Sequence, residues 1–287
     1  MSAIKAVDNN EEIEKVLNGV KIPPQPKVLI ELRQQAAHGF PNLKNVASII
    51  STDVGLSASV LKIINCPFYG LSKPISSIQQ AVMLLGANNL MYIVTSASLR
   101  QSVKGKACIS IENFWAKATD IANLCMGIAR YCHFNKVDDY YALGLFHDSG
   151  IVLLAQKFSN YKEVQAESNT KKRSLTEVED EFFQTDHATI GYYLSKSWHL
   201  PDSVTETIRD HHNLDRVFLP DHENDERNGM MGVLRMATNI HYSATRVSTE
   251  PDWKIIGYEV LEYMQISEND YEDMIMDMAD RLEKSRQ

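Results

Sequence analysis

Glycine and proline are sparse in this chain of 287 residues, at 13 and 9 positions, and there are only four cysteines. With 44% hydrophobic and 23% charged residues, the composition excludes a disordered or low-complexity chain, which would carry fewer apolar residues and more charge. The cysteines, Cys66, Cys108, Cys125 and Cys132, contain no C-x-x-C pair, which excludes a zinc ribbon and a thioredoxin-like motif. Cys125 and Cys132 read instead as small core residues on one helix face. Basic residues are in deficit, 29 Lys and Arg against 37 Asp and Glu, for a net charge of −8. Non-specific nucleic-acid binding depends on the opposite balance, although a small anionic ligand in a local basic pocket is compatible with it. No stretch approaches the roughly 20 apolar residues of a membrane span, and the first residues lack the apolar run of a signal peptide. A cytoplasmic protein with reduced thiols and no membrane contact is expected.

Strand alternation is also missing, and almost every segment carries helical period, so the predicted fold class is all-α. Helices are expected near 11–20 and from Pro26 to Gly39, with the Lys21–Pro26 segment extended between them. Asn42 and Asp53 are predicted N-caps, and Ser77 with Gln80 forms a capping-box pattern opening a helix that runs to Gly86. A further helix covers Ala87 to about Val103. Past a junction at Lys104-Gly105-Lys106, helix is expected over 111–133 and over 138–158, continuous or broken at Gly150. Ser174 with Glu177 gives a second capping box, and Asp186 caps a helix whose His187, Ile190, Gly191, Leu194 and Trp198 share one face. The next helix starts at Pro201 and ends at His211-His212-Asn213. An acidic loop over 214–228 precedes a Met-rich helix, 229–247, and two last helices near 254–264 and 268–285. The methionines read as ordinary helix core.

Concentrated chemistry occurs in one pattern. His147 and Asp148 sit side by side inside the apolar run Ala142–Ile151, followed at wide intervals by His187 and the pair His211, His212. A carboxylate placed among apolar residues needs a partner. Imidazole and carboxylate together suit a divalent transition metal, iron, manganese or zinc. Neighbours on a helix diverge by about 100°, so His147 and Asp148 would have to reach one site from the lip of an interhelix groove. His199 and His222 read as surface or capping residues, and His38, before Gly39, as a C-terminal cap.

The run Ala-Leu-Gly-Leu-Phe-His-Asp-Ser-Gly ending at Gly150 resembles the signature of the HD superfamily of metal-dependent phosphohydrolases. The order His-Asp, His, His-His resembles its HDOD and HD-GYP branches. Ile22-Pro23-Pro24-Gln25-Pro26, the stretch Asp53 through Gly70, Ile75–Gly86, Asp186–Gly191 and Trp198–Pro201 are similar to HDOD in particular. The resemblance implies a compact multi-helix bundle: an HDOD domain over 15–245, comprising an N-terminal helical subdomain (15–105) and an HD-like core (106–245), then a C-terminal extension (246–287). It implies a metal site at His147, Asp148, His187, His211 and His212. It also shows departures. Lys117 stands where the family supplies a histidine, and a protonated ammonium cannot ligate a metal; an ion pair with Asp148 is the alternative. The closing aspartate has only Thr238 and Asn239 in its place, and no GYP motif is present. Glu179 and Glu181 occupy a family-like position but read as a solvated helix face. Two functions follow. The first is a bacterial signal-transduction module without catalysis, working through a protein partner. The second is a phosphohydrolase acting on a nucleotide or other phosphate ester, with a bound cation activating water and Lys117 contacting a substrate phosphate. No basic stripe with interleaved aromatics supports nucleic-acid binding, and the terminal helices are acidic.

Overall fold

Helix boundaries in this chain are set by capping side chains and by a few glycines that permit close approach. The computed structural model describes residues 10–37, 42–103, 105–218, 225–246 and 250–286, within which there are fifteen α-helices, two short 3-10 turns and no strand. The all-α expectation holds. Predicted features at His38, Gly39, Lys104 and His222 lie outside the described residues.

The first five helices are α1 (Asn10–Leu17), α2 (Lys27–Ala37), α3 (Leu43–Ser51), α4 (Val54–Ile64) and α5 (Ile78–Ser102). Asn42 accepts bonds from the backbone N–H groups of Lys44 and Asn45, and Asp53 from that of Leu56, as predicted for N-caps. Ser77 accepts from the Gln80 N–H at 3.2 Å, but the Gln80 side chain accepts from Ser76 rather than closing the box on Ser77. Gly86, at φ 77° and ψ 168°, breaks α5 into the two helices expected on either side of it; a side chain would resist that conformation. The extended segment before α2 is tied across the molecule, because the Trp198 indole N–H donates to the Pro23 carbonyl at 2.9 Å.

Helix α6 (Ile111–Tyr131) runs through the centre, and every residue from Asp120 to Ala129 is buried. A helix enclosed on all sides must be apolar nearly all round, which this stretch is. Around it follow α7 (Val137–Phe146), α8 (Ser149–Lys157), α9 (Tyr161–Lys171), α10 (Leu175–Phe183), α11 (His187–Ser197), α12 (Asp202–Asp210), α13 (Asp225–Arg246), α14 (Trp253–Met264) and α15 (Glu268–Arg286). Three local expectations change. The 138–158 segment breaks at His147-Asp148, not at Gly150. Ser174 makes no cap bond and its hydroxyl meets that of Thr176 instead. Helix α13 begins at Asp225, so the end of the predicted acidic loop is helical.

Two glycines of the apolar run let helices touch backbone to backbone. A Cβ on Gly144 would lie 2.5 Å from the Ala122 Cα, and one on Gly150 would lie 2.1 Å from the His187 carbonyl oxygen. These contacts fix α7 against α6 and α8 against α11. Met230, Met231 and Met236 on α13, and Met274 and Met278 on α15, are buried and fill the core as expected; Met276 is exposed. No single described helix is long and apolar enough to cross a membrane.

Candidate metal centre

Because α7 ends at Phe146 and α8 starts at Ser149, His147 and Asp148 sit in a break between two helices. Asp148 adopts φ −97° and ψ 6°. His147 keeps helical backbone angles, and its ring Nε2 comes within 3.2 Å of Asp148 Oδ2. His187 arrives as the first residue of α11, whose N-cap Asp186 accepts from the Thr189 N–H. His211 and His212 follow the last residue of α12.

The Asp148 carboxylate is the hub. Its Oδ2 lies 3.0 Å from Lys117 Nζ and 3.2 Å from His147 Nε2, and its Oδ1 lies 3.5 Å from His211 Nε2 and 3.7 Å from His187 Nε2. The ion pair foreseen between Lys117 and Asp148 is present. Despite burial, His147 and Lys117 hold the Asp148 carboxyl well below the ordinary carboxylate range. Burial pushes His211 down to about 4 and His212 well below its usual value, so both rings are neutral. Burial acts the same way on His187, but the facing Glu179 carboxylate outweighs it and raises that ring to about 9.

Hydrogen bonds on the far side of each ring set its orientation. His147 Nδ1 donates to the Gly144 carbonyl at 2.7 Å and His211 Nδ1 to the Ile208 carbonyl at 2.6 Å. His187 Nδ1 donates to Glu179 Oε2 at 2.6 Å. Each Nε2 is thus turned inward. The Nε2 atoms of His187 and His211 are buried with no hydrogen-bond partner among the described residues. Asp148, His187, His211 and His212 each offer one donor atom, all within 4.8 Å of one another. Three imidazoles and a carboxylate are a fitting donor set for one divalent zinc, iron or manganese ion, and a cation would satisfy both orphaned nitrogens. His147 stands outside this set of four, held against Asp148.

Glu179 overturns its reading as a solvated residue. It is fully buried, accepting from the His187 backbone N–H at 2.8 Å and from the Tyr161 hydroxyl as well as from the His187 ring. It shares a face of α10 with Phe183, four residues on and also buried, which is the sequence signal that marks it. Glu181 is solvated as read, paired with Arg173. Beside the cluster is a cavity of about 100 Å³, bordered by Lys117, Arg235, Thr238, His241 and Glu250 among others. Arg235 escaped the sequence reading. It is buried, with Nη1 3.3 Å from Asp252 Oδ2 and with Nε and Nη2 unpartnered among the described residues. Thr238 borders the cavity, whereas Asn239 turns away to donate to the Tyr271 hydroxyl. The turn carrying His211 and His212 is braced by Asp210, which pairs with Arg209, Arg216 and buried Arg227.

Residues 22–214 match the HDOD domain family. An uncharacterized protein of Treponema pallidum is 30% identical over 201 residues, which is 67% of this chain and 38% of that protein; the chain therefore spans well under half of that relative's length. A provisionally named phosphohydrolase from Shewanella amazonensis superposes with a TM-score of 0.70 at 19% identity, covering 96% of both chains. A provisionally named signal transduction protein from Marinobacter aquaeolei gives 0.67 at 16% identity, over 94% of this chain and 59% of that one. At these identities the likeness establishes the shared fold.

Proposed function

Because the chain belongs to the HDOD domain family, we propose that it is a cytoplasmic bacterial signal-transduction module that acts by contact with a protein partner, without turnover. The observation that carries this reading is the 3.0 Å pair between Lys117 Nζ and Asp148 Oδ2. In a metal-dependent hydrolase an aspartate so placed can be shared between cations. Here a half-exposed lysine ammonium of the same chain already pairs with it, and its charge opposes a second cation nearby. On this reading residues 15–105 are a contact subdomain, 106–245 the HD-like core and 246–287 an extension. Val54, Met83 and Leu84, apolar yet exposed, belong to the contact side.

The orphaned Nε2 atoms of His187 and His211 favour a second reading, a phosphohydrolase with a single divalent ion held by Asp148, His187, His211 and His212. Such an ion would supply Lewis acidity and lower the pKa of water toward neutrality. Lys117 and Arg235, both on the adjoining cavity, would then hold a phosphate by charge.

Elemental analysis of chelator-free protein beside the His211→Ala/His212→Ala variant, followed by an assay on bis(p-nitrophenyl) phosphate after loading with iron, manganese or zinc, separates the readings. The contact module predicts no turnover above that of the variant, with or without bound metal. Turnover that disappears in a correctly folded His147→Ala protein would overturn it.

A further inference from the structure

A second cavity borders the sector of α6 next to that of Lys117. It encloses about 730 Å³ between α4, the second half of α5, α6 and the last turn of α15. Sites for small organic ligands typically measure about 300–1,000 Å³. Its charge is opposite to that of the chain. Among the described residues four cations, Lys62, Arg100, Lys284 and Arg286, stand on its walls against a single carboxylate, Asp120, in a protein of net charge −8.

That carboxylate is already committed. Asp120 Oδ2 accepts from Arg286 Nε at 3.1 Å and again from Nη2, and lies 3.6 Å from His241 Nε2. Lys284 pairs with Asp280 on its own helix. Lys62 and Arg100 have no carboxylate partner among the described residues, and both are exposed. Ser96 is among the lining residues; it is fully buried, and its hydroxyl has no hydrogen-bond partner among the described residues. The lining also has an apolar part, with Ile63, Ala97 and Leu145. Unpaired cations beside an apolar wall suit a ligand with a phosphorylated end and a partly apolar body.

We propose that this cavity binds a phosphorylated small molecule of the nucleotide class, its phosphates held by Lys62 and Arg100 and its body against the α5–α6 wall. The site is distinct from the histidine cluster and independent of whether that cluster holds metal. It joins the N-terminal helices to the last helix, so occupancy would stiffen the junction between them.

Isothermal titration of the full chain with the adenine and guanine nucleoside mono-, di- and triphosphates, with pyrophosphate and the two nucleosides as controls, tests the proposal. The expected result is micromolar binding of at least one nucleotide, weakened tenfold or more in Lys62→Ala/Arg100→Ala and changed less than twofold in Lys117→Ala. Should the double variant unfold, Lys62→Gln, at an exposed position, takes its place with a threefold or greater loss expected. Four results would each overturn the proposal: no nucleotide binding, binding that survives loss of the cavity cations, binding lost in Lys117→Ala, or a control that binds as tightly as the best nucleotide.

Discussion

The two cavities bordered by α6 are built on contrary principles. The one beside Lys117 measures about 100 Å³, and its neighbouring cluster gathers imidazoles, two of them with unpartnered nitrogens, around one carboxylate. The other is about seven times larger and carries free cations, with its one carboxylate paired. A closed group of imidazoles around a carboxylate selects a positive guest, which takes the place of any proton on the rings, whereas a wide cleft rimmed by ammonium and guanidinium groups selects a negative one. The difference is made by a rotation of little more than one residue step on the same helix, from Lys117 and Ile121 on one cavity to Ala116, Asp120 and Asn123 on the other. Closeness in sequence says little about which guest a residue serves.

The comparison breaks most severely at Gly150. Alanine there would place its Cβ 2.1 Å from the His187 carbonyl oxygen and 2.8 Å from the His187 Cα, both backbone atoms that cannot step aside. Helices α8 and α11 would have to separate, at a cost on the order of 3 kcal/mol, and His187 would leave the cluster. Gly150→Ala should therefore unfold at much lower urea concentration and take up no metal, while whatever fraction stays folded keeps the cationic cleft. A variant with wild-type metal content would show that His187 does not depend on this contact.

A smaller effect is expected at Lys117, and it has two signs. Its side chain is about half exposed (51%), so losing the pair with Asp148 in Lys117→Met should destabilise the metal-free protein by only about 1 kcal/mol. In the presence of zinc or manganese the same substitution removes a like charge from the neighbourhood of the ion. Affinity for metal should rise by about fivefold, the equivalent of ~1 kcal/mol. Titration of both proteins with a competing chelator measures this; a fall in affinity would make Lys117 a support of the site rather than a rival for it.

Much of this architecture is legible in the chain because it is written locally. Asn42, Asp53 and Asp186 act as caps within three residues of the groups they bind, and Gly86 marks its own break. The pairing of Lys117 with Asp148 followed from a charge standing where a neutral ligand was expected. The rest depends on long-range packing. Glu179 looked solvated because its helix reads as an amphipathic surface helix, and the docking of α10 against α11 and Tyr161 buries it. The break at His147-Asp148 lies between Gly144 and Gly150, whose backbone contacts with α6 and α11 exist only in the packed fold. Arg235, on α13, and Glu250, in the connection before α14, border the cavity beside the histidines although they lie far along the chain, and Lys62, Arg100 and Arg286 share no local pattern at all.

The smallest effect lies where the two cavities meet. Asp120 borders the cleft, while His241, 3.6 Å away, borders the cavity beside the histidines. Burial works against ionising Asp120, but His241 and Arg286 outweigh it and draw the carboxyl below its ordinary 3.8. A carboxyl lowered on folding contributes stability that is fully present above its unfolded value and is lost as pH falls through the folded one. Wild type should thus exceed Asp120→Asn by a constant amount above about pH 5, shrinking toward pH 3. Because Arg286 is about half exposed (48%), that amount should be no more than about 1 kcal/mol. Urea unfolding at pH 7 and pH 4 measures it, and a difference that ignores pH would mean the tie is not ionic. The same substitution removes the one carboxylate that the described residues place on the cleft and frees Arg286, so nucleotide affinity should rise while metal uptake at Asp148 stays unchanged. If both move together, the path from Asp120 through His241 couples the cavities, and the separation drawn between a cation site and an anion site becomes a linkage between them.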